Sequence, residues 1–296
     1  MGLSTMHGEL ESEFRYWTDA GLTAVFWLRD DDAVSVTPAL LRLENLARRY
    51  EIGVGLAVVP GRLQPDLADH LKADKSPFFA MCHGWVHENH GTPTQPSEFC
   101  AARPPEAMAA DLNHARAAMT SKLGVAAPYF VPPFGQIAPS AAAELPALGF
   151  AGLSNQSSRA LNQFVRLNSK HRWLPKSPMP RPVWPATLDA HIDPIDWWKQ
   201  TARDQAATHE RLVGELRVRR KGYKAVNAPI GLLGHHLVHD EAIWDSLERL
   251  IALLRAQSCA QFPPIRDLAA KYAFTGNRSL AVETPRPEAR HRAAQP

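Results

Sequence analysis

The 296-residue sequence contains no apolar run approaching the roughly 20 residues that cross a bilayer, which excludes a membrane-spanning helix. Cysteine is scarce. Cys82, Cys100 and Cys259 are too few for a disulfide framework and too far apart for a CxxC metal site, so a reducing, cytoplasmic setting is expected. The opening stretch MGLSTMHGELESEFRYW lacks a basic flank followed by an apolar segment, and no secretory signal is expected. Charge of one sign is scarce as well. The net charge is +3, and the tail from Gly276 supplies two of those charges, with Arg278, Arg286, Arg290 and Arg292 against Glu283 and Glu288. The nearly neutral body has no basic face of the kind nucleic-acid binding needs. What is abundant is apolar residue, at 45%, which excludes disorder along the whole chain. The length is enough for one large core and suits a single α/β barrel domain.

Short apolar runs alternate with helical stretches. The runs are Thr23–Leu28, Val54–Val59, Phe78–Cys82, Tyr129–Val131, Phe150–Leu153, Val183–Asp189 and Ile230–Leu233. Between them, helices are expected over Thr37–Tyr50, Pro65–Lys72, Pro104–Leu123, Pro139–Leu148, Thr201–Arg220 and Asp240–Gln257, several with proline near the start and glycine past the end. Strand–helix alternation with near-continuous apolar strands predicts a parallel sheet covered on both faces. Seven strands predict a deformed (β/α) barrel over residues 21–275, preceded by a helix within 1–20 and followed by a disordered tail, 276–296. The basic run Arg217, Arg219, Arg220, Lys221 before Gly222 reads as the last turn of a helix. Ser154–Ala186, with five prolines between Pro175 and Pro185 and with Trp173 and Trp184, is long enough to expect a functional loop.

Polar residues gather where these strands end, and in parallel α/β folds the carboxyl ends of strands are where sites form. The first strand runs into Arg29-Asp30-Asp31-Asp32. Three adjacent carboxylates repel, so the triplet is either a solvated loop capping the next helix or half of a cation site. The third strand runs into His83-Gly84-Trp85-Val86-His87, a His-x3-His spacing that would put both rings on one face of a helical turn. Zinc takes imidazole and carboxylate ligands, and the Asp30–Asp32 segment can supply the third, with Glu88, Asn89 and His90 orienting the set. His235, His236 and His239 follow the last strand, and one of them could donate a proton near neutral pH. Asp193 or Asp196 could orient it.

Taken in order, these segments resemble the five motifs of the polysaccharide deacetylase family, the NodB-homology carbohydrate esterases. Arg29-Asp30-Asp31-Asp32-Ala33 is similar to the first motif, Thr-Phe-Asp-Asp-Gly. His83-Gly84-Trp85-Val86-His87 is similar to the second, His-Ser/Thr-x-x-His. Val131-Pro132-Pro133-Phe134 matches the third, Arg-x-Pro-Tyr, in part; Asp196-Trp197 matches the fourth and Leu233-Gly234-His235 the fifth. The resemblance runs from about Val25 to His235. It departs from the family at Val131, where the arginine that holds the catalytic aspartate is missing, and at Ala33, where the family has glycine. Arg29 stands beside the triplet as a substitute for that arginine, and His236 competes with His235.

The resemblance implies a deformed (β/α) barrel enzyme, a carbohydrate deacetylase dependent on one divalent ion, most often zinc. Asp32, His83 and His87 would hold the metal, and Asp31 would be the general base. His235, steadied by Asp196, would be the general acid. Phe134, through its backbone N–H, Trp197 and Trp85 would meet the substrate, an acetylated sugar or glycan precursor. Two rival readings remain: a non-catalytic sugar-binding relative, motivated by Val131, and an amidase acting on a small amide with the same scaffold.

Overall fold

The computed structural model describes residues 3–73, 76–156 and 187–274. Most of the proline-rich Ser154–Ala186 segment, with Trp173 and Trp184, and the tail from Gly276 lie outside them. The chain opens with α1 (Leu3–Asp19), then β1 (Ala24–Ala33), α2 (Pro38–Arg49), β2 (Val54–Val58), α3 (Pro65–Lys72), β3 (Phe78–His83), α4 (Pro105–Leu123) and β4 (Tyr129–Val131). A 3-10 turn at Pro133–Gly135 precedes α5 (Pro139–Glu144) and β5 (Gly152–Leu153). After the undescribed segment come β6 (Ala190–Ile192), β7 (Ile195–Asp196), β8 (Thr201–Ala202), α6 (Gln205–Arg220) and β9 (Ile230–Gly234). A second 3-10 turn, His236–Val238, leads to α7 (Glu241–Arg255), β10 (Ala260–Gln261) and α8 (Ile265–Lys271).

Three helices begin where a side-chain oxygen takes an orphan N–H. Thr37 Oγ1 accepts from Leu40 N–H at 3.0 Å, Asp204 from Ala207 at 3.1 Å, and Asp240 from Ile243 at 2.7 Å. Among the described residues, no helix is long and apolar enough to cross a membrane.

Seven strands form one parallel sheet in the order β5-β4-β3-β2-β1-β9-β6. Its two ends meet. Leu153 bridges Thr187 and Gln156 bridges Ala190, with Leu188 N–H donating to Leu153 O at 3.0 Å and Ala190 N–H to Asn155 O at 2.9 Å. The result is a deformed (β/α) barrel, closed by bridges rather than by a full ladder. The short β10 pairs with the start of β1, and β7–β8 form a separate antiparallel hairpin.

Side chains alternate across the barrel wall. Phe26 and Leu28 pack outward with Val54, Leu56 and Val58 beneath the helices. Trp27 packs inward with Ala57, Met81, Tyr129, Val131 and Leu188, and Ile265 and Leu268 of α8 join this inner cluster. Gly231 makes room for that indole: a Cβ there would lie 2.7 Å from Trp27 Nε1. The same period of two turns Arg29 and Asp31 into the barrel and Asp30 toward the helices.

Three expectations need correction. The sixth strand is Ala190–Ile192, just past the expected Val183–Asp189, of which residues 183–186 lie outside the described set. The acidic triplet is no solvated loop. β1 continues through it, and Asp30 and Asp31 are buried among partners. The helix expected from Thr201 starts at Gln205, because Thr201–Ala202 pair with β7 and Asp204 caps the helix behind them.

Candidate active site

β1 ends in a register shift between Asp30 and Ala33, and Asp32 takes a left-handed backbone, φ 73°. A non-glycine residue there is uncommon. Here the turn carries the Asp32 carboxylate over the barrel mouth to the end of β3. Its Oδ1 lies 3.0 Å from His83 Nε2 and 3.2 Å from His87 Nε2. The ligand atoms of the three residues all lie within 4.8 Å of one another.

The tautomer of His83 follows from its other nitrogen. Nδ1 is 3.0 Å from the Val131 carbonyl, which can only accept, so Nδ1 carries the proton and neutral His83 offers a lone pair from Nε2. That lone pair faces Asp32 Oδ1, a buried oxygen with no donor in hydrogen-bond geometry among the described residues. Two lone pairs at such a distance call for a positive charge between them. A proton can take that place as well as an ion, and the titration shifts run in that direction. Burial raises the Asp32 carboxyl, but contact with His83 and the neighbouring charges of His83, His235 and His87 outweigh it and hold the group well below the usual carboxylate range. Burial lowers His83, while Asp32 and Asp31 carry it above its ordinary value; His87 is lowered by burial and by His83. One carboxylate and two imidazoles form a donor set suited to a divalent ion such as zinc.

The histidine pair does not sit on a helix, contrary to the spacing argument. His83 is the last residue of β3, and His87 lies in an irregular turn with φ 58° after Gly84 at φ 62°. The rings still meet, with centroids 5.0 Å apart, because the turn doubles back.

Asp31 is held from below. Arg29 Nη2 donates to Asp31 Oδ2 at 3.0 Å, and Nε lies 2.9 Å from Oδ1. Arg29 Nη1 is in turn fixed by Ser154 O, Ser154 Oγ and Asn155 O at 2.9, 2.8 and 3.2 Å. Arg29 thus reaches Asp31 from the same strand, two residues back and on the same face.

The two adjacent histidines after β9 have opposite surroundings. His236 faces outward, fully buried, with its Nδ1 and backbone N–H on the Asp30 carboxylate. His235 faces the site, with Nε2 4.0 Å from Asp31 Oδ2. His235 N–H donates to His239 Nε2 at 3.1 Å, and burial pushes His239 down to about 4, so it serves as a neutral acceptor.

Two expected residues are placed elsewhere. Among the described residues, Asp196 forms no hydrogen bond or ion pair with His235. Its Oδ1 accepts Trp198 N–H at 3.2 Å, and Lys199 Nζ lies 3.9 Å away. The carboxylate that reaches His235 indirectly is Asp193, which accepts Trp197 Nε1 at 2.8 Å; the Trp197 ring then stands edge-on to His235 with centroids 4.7 Å apart. Trp85 turns away from the site, its ring packed beside His114 on α4 at 5.7 Å, because its backbone is pinned by a carboxylate, Glu98. Phe134 is at the site: a left-handed backbone, φ 59°, sets its half-exposed ring 4.4 Å from that of His87. Of the outer residues, Glu88 and His90 are exposed, and Asn89 ties down the far loop through Gly91 and Ser97 N–H. Glu98, buried behind the histidine turn, carried no sequence signal, since nothing in its spacing marks a loop glutamate as a partner of that turn.

No family model and no curated protein matches the sequence. Solved structures do. The chain is similar to a Mycobacterium smegmatis protein assigned to the polysaccharide deacetylases, with TM-score 0.54, 14% identity and 85% and 91% of the two chains covered. It is similar to a family 4 acetyl xylan esterase from Clostridium thermocellum, solved with a cobalt ion, with TM-score 0.51, 13% identity and 82% and 89% coverage. A third is a variant, with restored enzymatic activity, of a CE4 family pseudoenzyme from Bacillus anthracis, with TM-score 0.50, 14% identity and 84% and 68% coverage. At such identities the likeness is one of fold.

Proposed function

From the fold shared with polysaccharide deacetylases and from this site, we propose that the chain is a divergent deacetylase of that family, removing an acetyl group from nitrogen or oxygen of a sugar or glycan precursor. The observation that carries the reading is the convergence of Asp32 Oδ1, His83 Nε2 and His87 Nε2 with no donor among the described residues to separate them. These three residues would hold one divalent ion, zinc by the chemistry of the donors. When bound, the ion supplies Lewis acidity, polarising the acyl carbonyl and easing deprotonation of water.

The remaining steps belong to the chain's own groups. Asp31, fixed by Arg29, takes the proton of the attacking water as its oxygen joins the acyl carbon. The backbone N–H of Phe134 donates to the oxygen that gains charge. His235 protonates the departing amine as the C–N bond breaks, leaving acetate and a free amino sugar. Asp193 steadies His235 through Trp197, and the rings of Trp197 and Phe134 offer flat surfaces to a sugar. The non-catalytic reading rested on the arginine missing at Val131, and the Arg29–Asp31 pair supports activity instead.

The test is acetate release from a panel of acetylated sugars, with small cyclic amides alongside, before and after chelation. Release from sugars that stops with chelator and returns with zinc is expected. Turnover of amides alone, or turnover indifferent to chelator, would overturn the assignment.

A further inference from the structure

His87 occupies a costly position. Its backbone is left-handed, its turn belongs to no helix or strand, and yet its ring must meet Asp32 to within a few tenths of an ångström. One buried side chain holds this turn. Glu98 Oε1 accepts Val86 N–H at 2.8 Å and His87 N–H at 3.1 Å, while Oε2 accepts Trp85 N–H at 3.1 Å. Three consecutive backbone donors converge on one carboxylate, the kind of concave N–H nest that binds anions.

The anchor is itself anchored. Arg103 Nη1 donates to Glu98 O at 2.9 Å and Nη2 to Asp111 Oδ2 at 2.7 Å, tying the segment to α4. Phe99 bridges Ile137, and Ala138 N–H donates to Phe99 O at 2.7 Å, tying it to the loop after β4. Gly84 completes the arrangement. It stands where the second motif has serine or threonine, and a Cβ there would overlap both Glu98 Oε2 and Pro133 Cγ. The glycine and the buried glutamate therefore depend on each other.

We propose that Glu98 is a positioning residue for the metal centre, holding the 85–87 turn in the backbone shape that brings His87 Nε2 onto Asp32. The inference rests on the reading of Asp32, His83 and His87 as metal ligands. Glu98 does not touch substrate, and it acts through the geometry of one ligand. An amide in its place has one accepting oxygen and presents an N–H to a backbone N–H, so Glu98→Gln keeps the shape but loses at least one of the three bonds.

The test is titration of wild type, Glu98→Gln and Glu98→Ala with cobalt(II), read by visible absorption, which reports ligand number and geometry. Near-UV circular dichroism of the metal-free proteins checks folding. Loss of an outer partner of this kind costs metal sites about 10–100-fold in affinity. Glu98→Ala is expected to weaken binding by about that factor, with an altered spectrum, and the isosteric Glu98→Gln by less. A folded Glu98→Gln with wild-type affinity and spectrum would overturn the proposal. A wild type that binds no cobalt would instead overturn the metal-centre reading, and the proposal with it.

Discussion

The barrel buries charges at both ends of β9, and the two clusters are finished differently. Before the strand, Glu215 Oε2 accepts Arg219 Nη1 at 2.5 Å and Lys224 Nζ at 3.0 Å. Arg219 sends its other N–H groups to Ala228 O and Pro229 O, and His191 Nδ1 accepts Gly231 N–H. Burial raises the Glu215 carboxyl, but His191, Lys224 and Arg219 outweigh it and hold it at about 2. After the strand, Asp30 and Asp31 are matched in the same way, by His236 and Arg29. Asp32 is not. Among the described residues it faces two imidazole nitrogens and no donor. An anion held by fixed donors needs no further partner; a half-buried anion facing lone pairs is arranged for a cation the chain does not itself supply.

The largest effect that would break this contrast lies at the unmatched end. His83→Ala or His87→Ala should abolish zinc binding and acetate release, and His87→Ala, at the more exposed ring, should leave the melting temperature of the zinc-free protein nearly unchanged. Thermal melts and metal analysis on the same samples check both halves. Glu215→Ala should do the reverse. It strands buried Arg219 and half-buried Lys224 at a cost of about 3–5 kcal/mol, lowering the melting temperature by roughly 10 °C, with zinc stoichiometry retained.

Acid should separate the clusters in sequence. His239 is neutral and lowered to about 4, so its contribution is complete above its unfolded value near 6.5 and is lost as pH falls toward 4, roughly 3 kcal/mol. Glu215, depressed from 4.5 to about 2, keeps its contribution above pH 4.5 and loses it between 4.5 and 2. In melts against pH, His239→Gln should flatten the first window only. Flattening of the second window instead would contradict these assignments. The smallest expected change is at Arg29. Arg29→Lys keeps the charge but loses the two-point grip on Asp31, and kcat should fall by about 10²-fold with KM and zinc content held.

Much of this was legible beforehand. Apolar runs marked six of the seven barrel strands, because strands covered on both faces are largely apolar, and fell just short of the sixth, Ala190–Ile192. Asp32, His83 and His87 could be grouped, because a His pair and an acidic triplet at strand ends have few uses in common. The reason given for the pair was wrong, however, since the turn at Gly84, not a helix, brings the rings together. Strand alternation carried more than was taken from it: Arg29 with Asp31, and His235 apart from His236, follow from a period of two once β1 and β9 are extended. Trp85 and Asp196 misled because sequence adjacency in an irregular turn does not fix side-chain direction. Glu98 was beyond reach, since only tertiary structure brings its loop behind the histidines.

The most direct test of the account is metal content. Wild type and His83→Ala, purified without chelator or a His tag and then offered zinc, should carry about one and about zero equivalents per chain, as three protein ligands at one catalytic site imply. Wild type that stays metal-free after zinc is added back, or a mutant that binds as well as wild type, would contradict it.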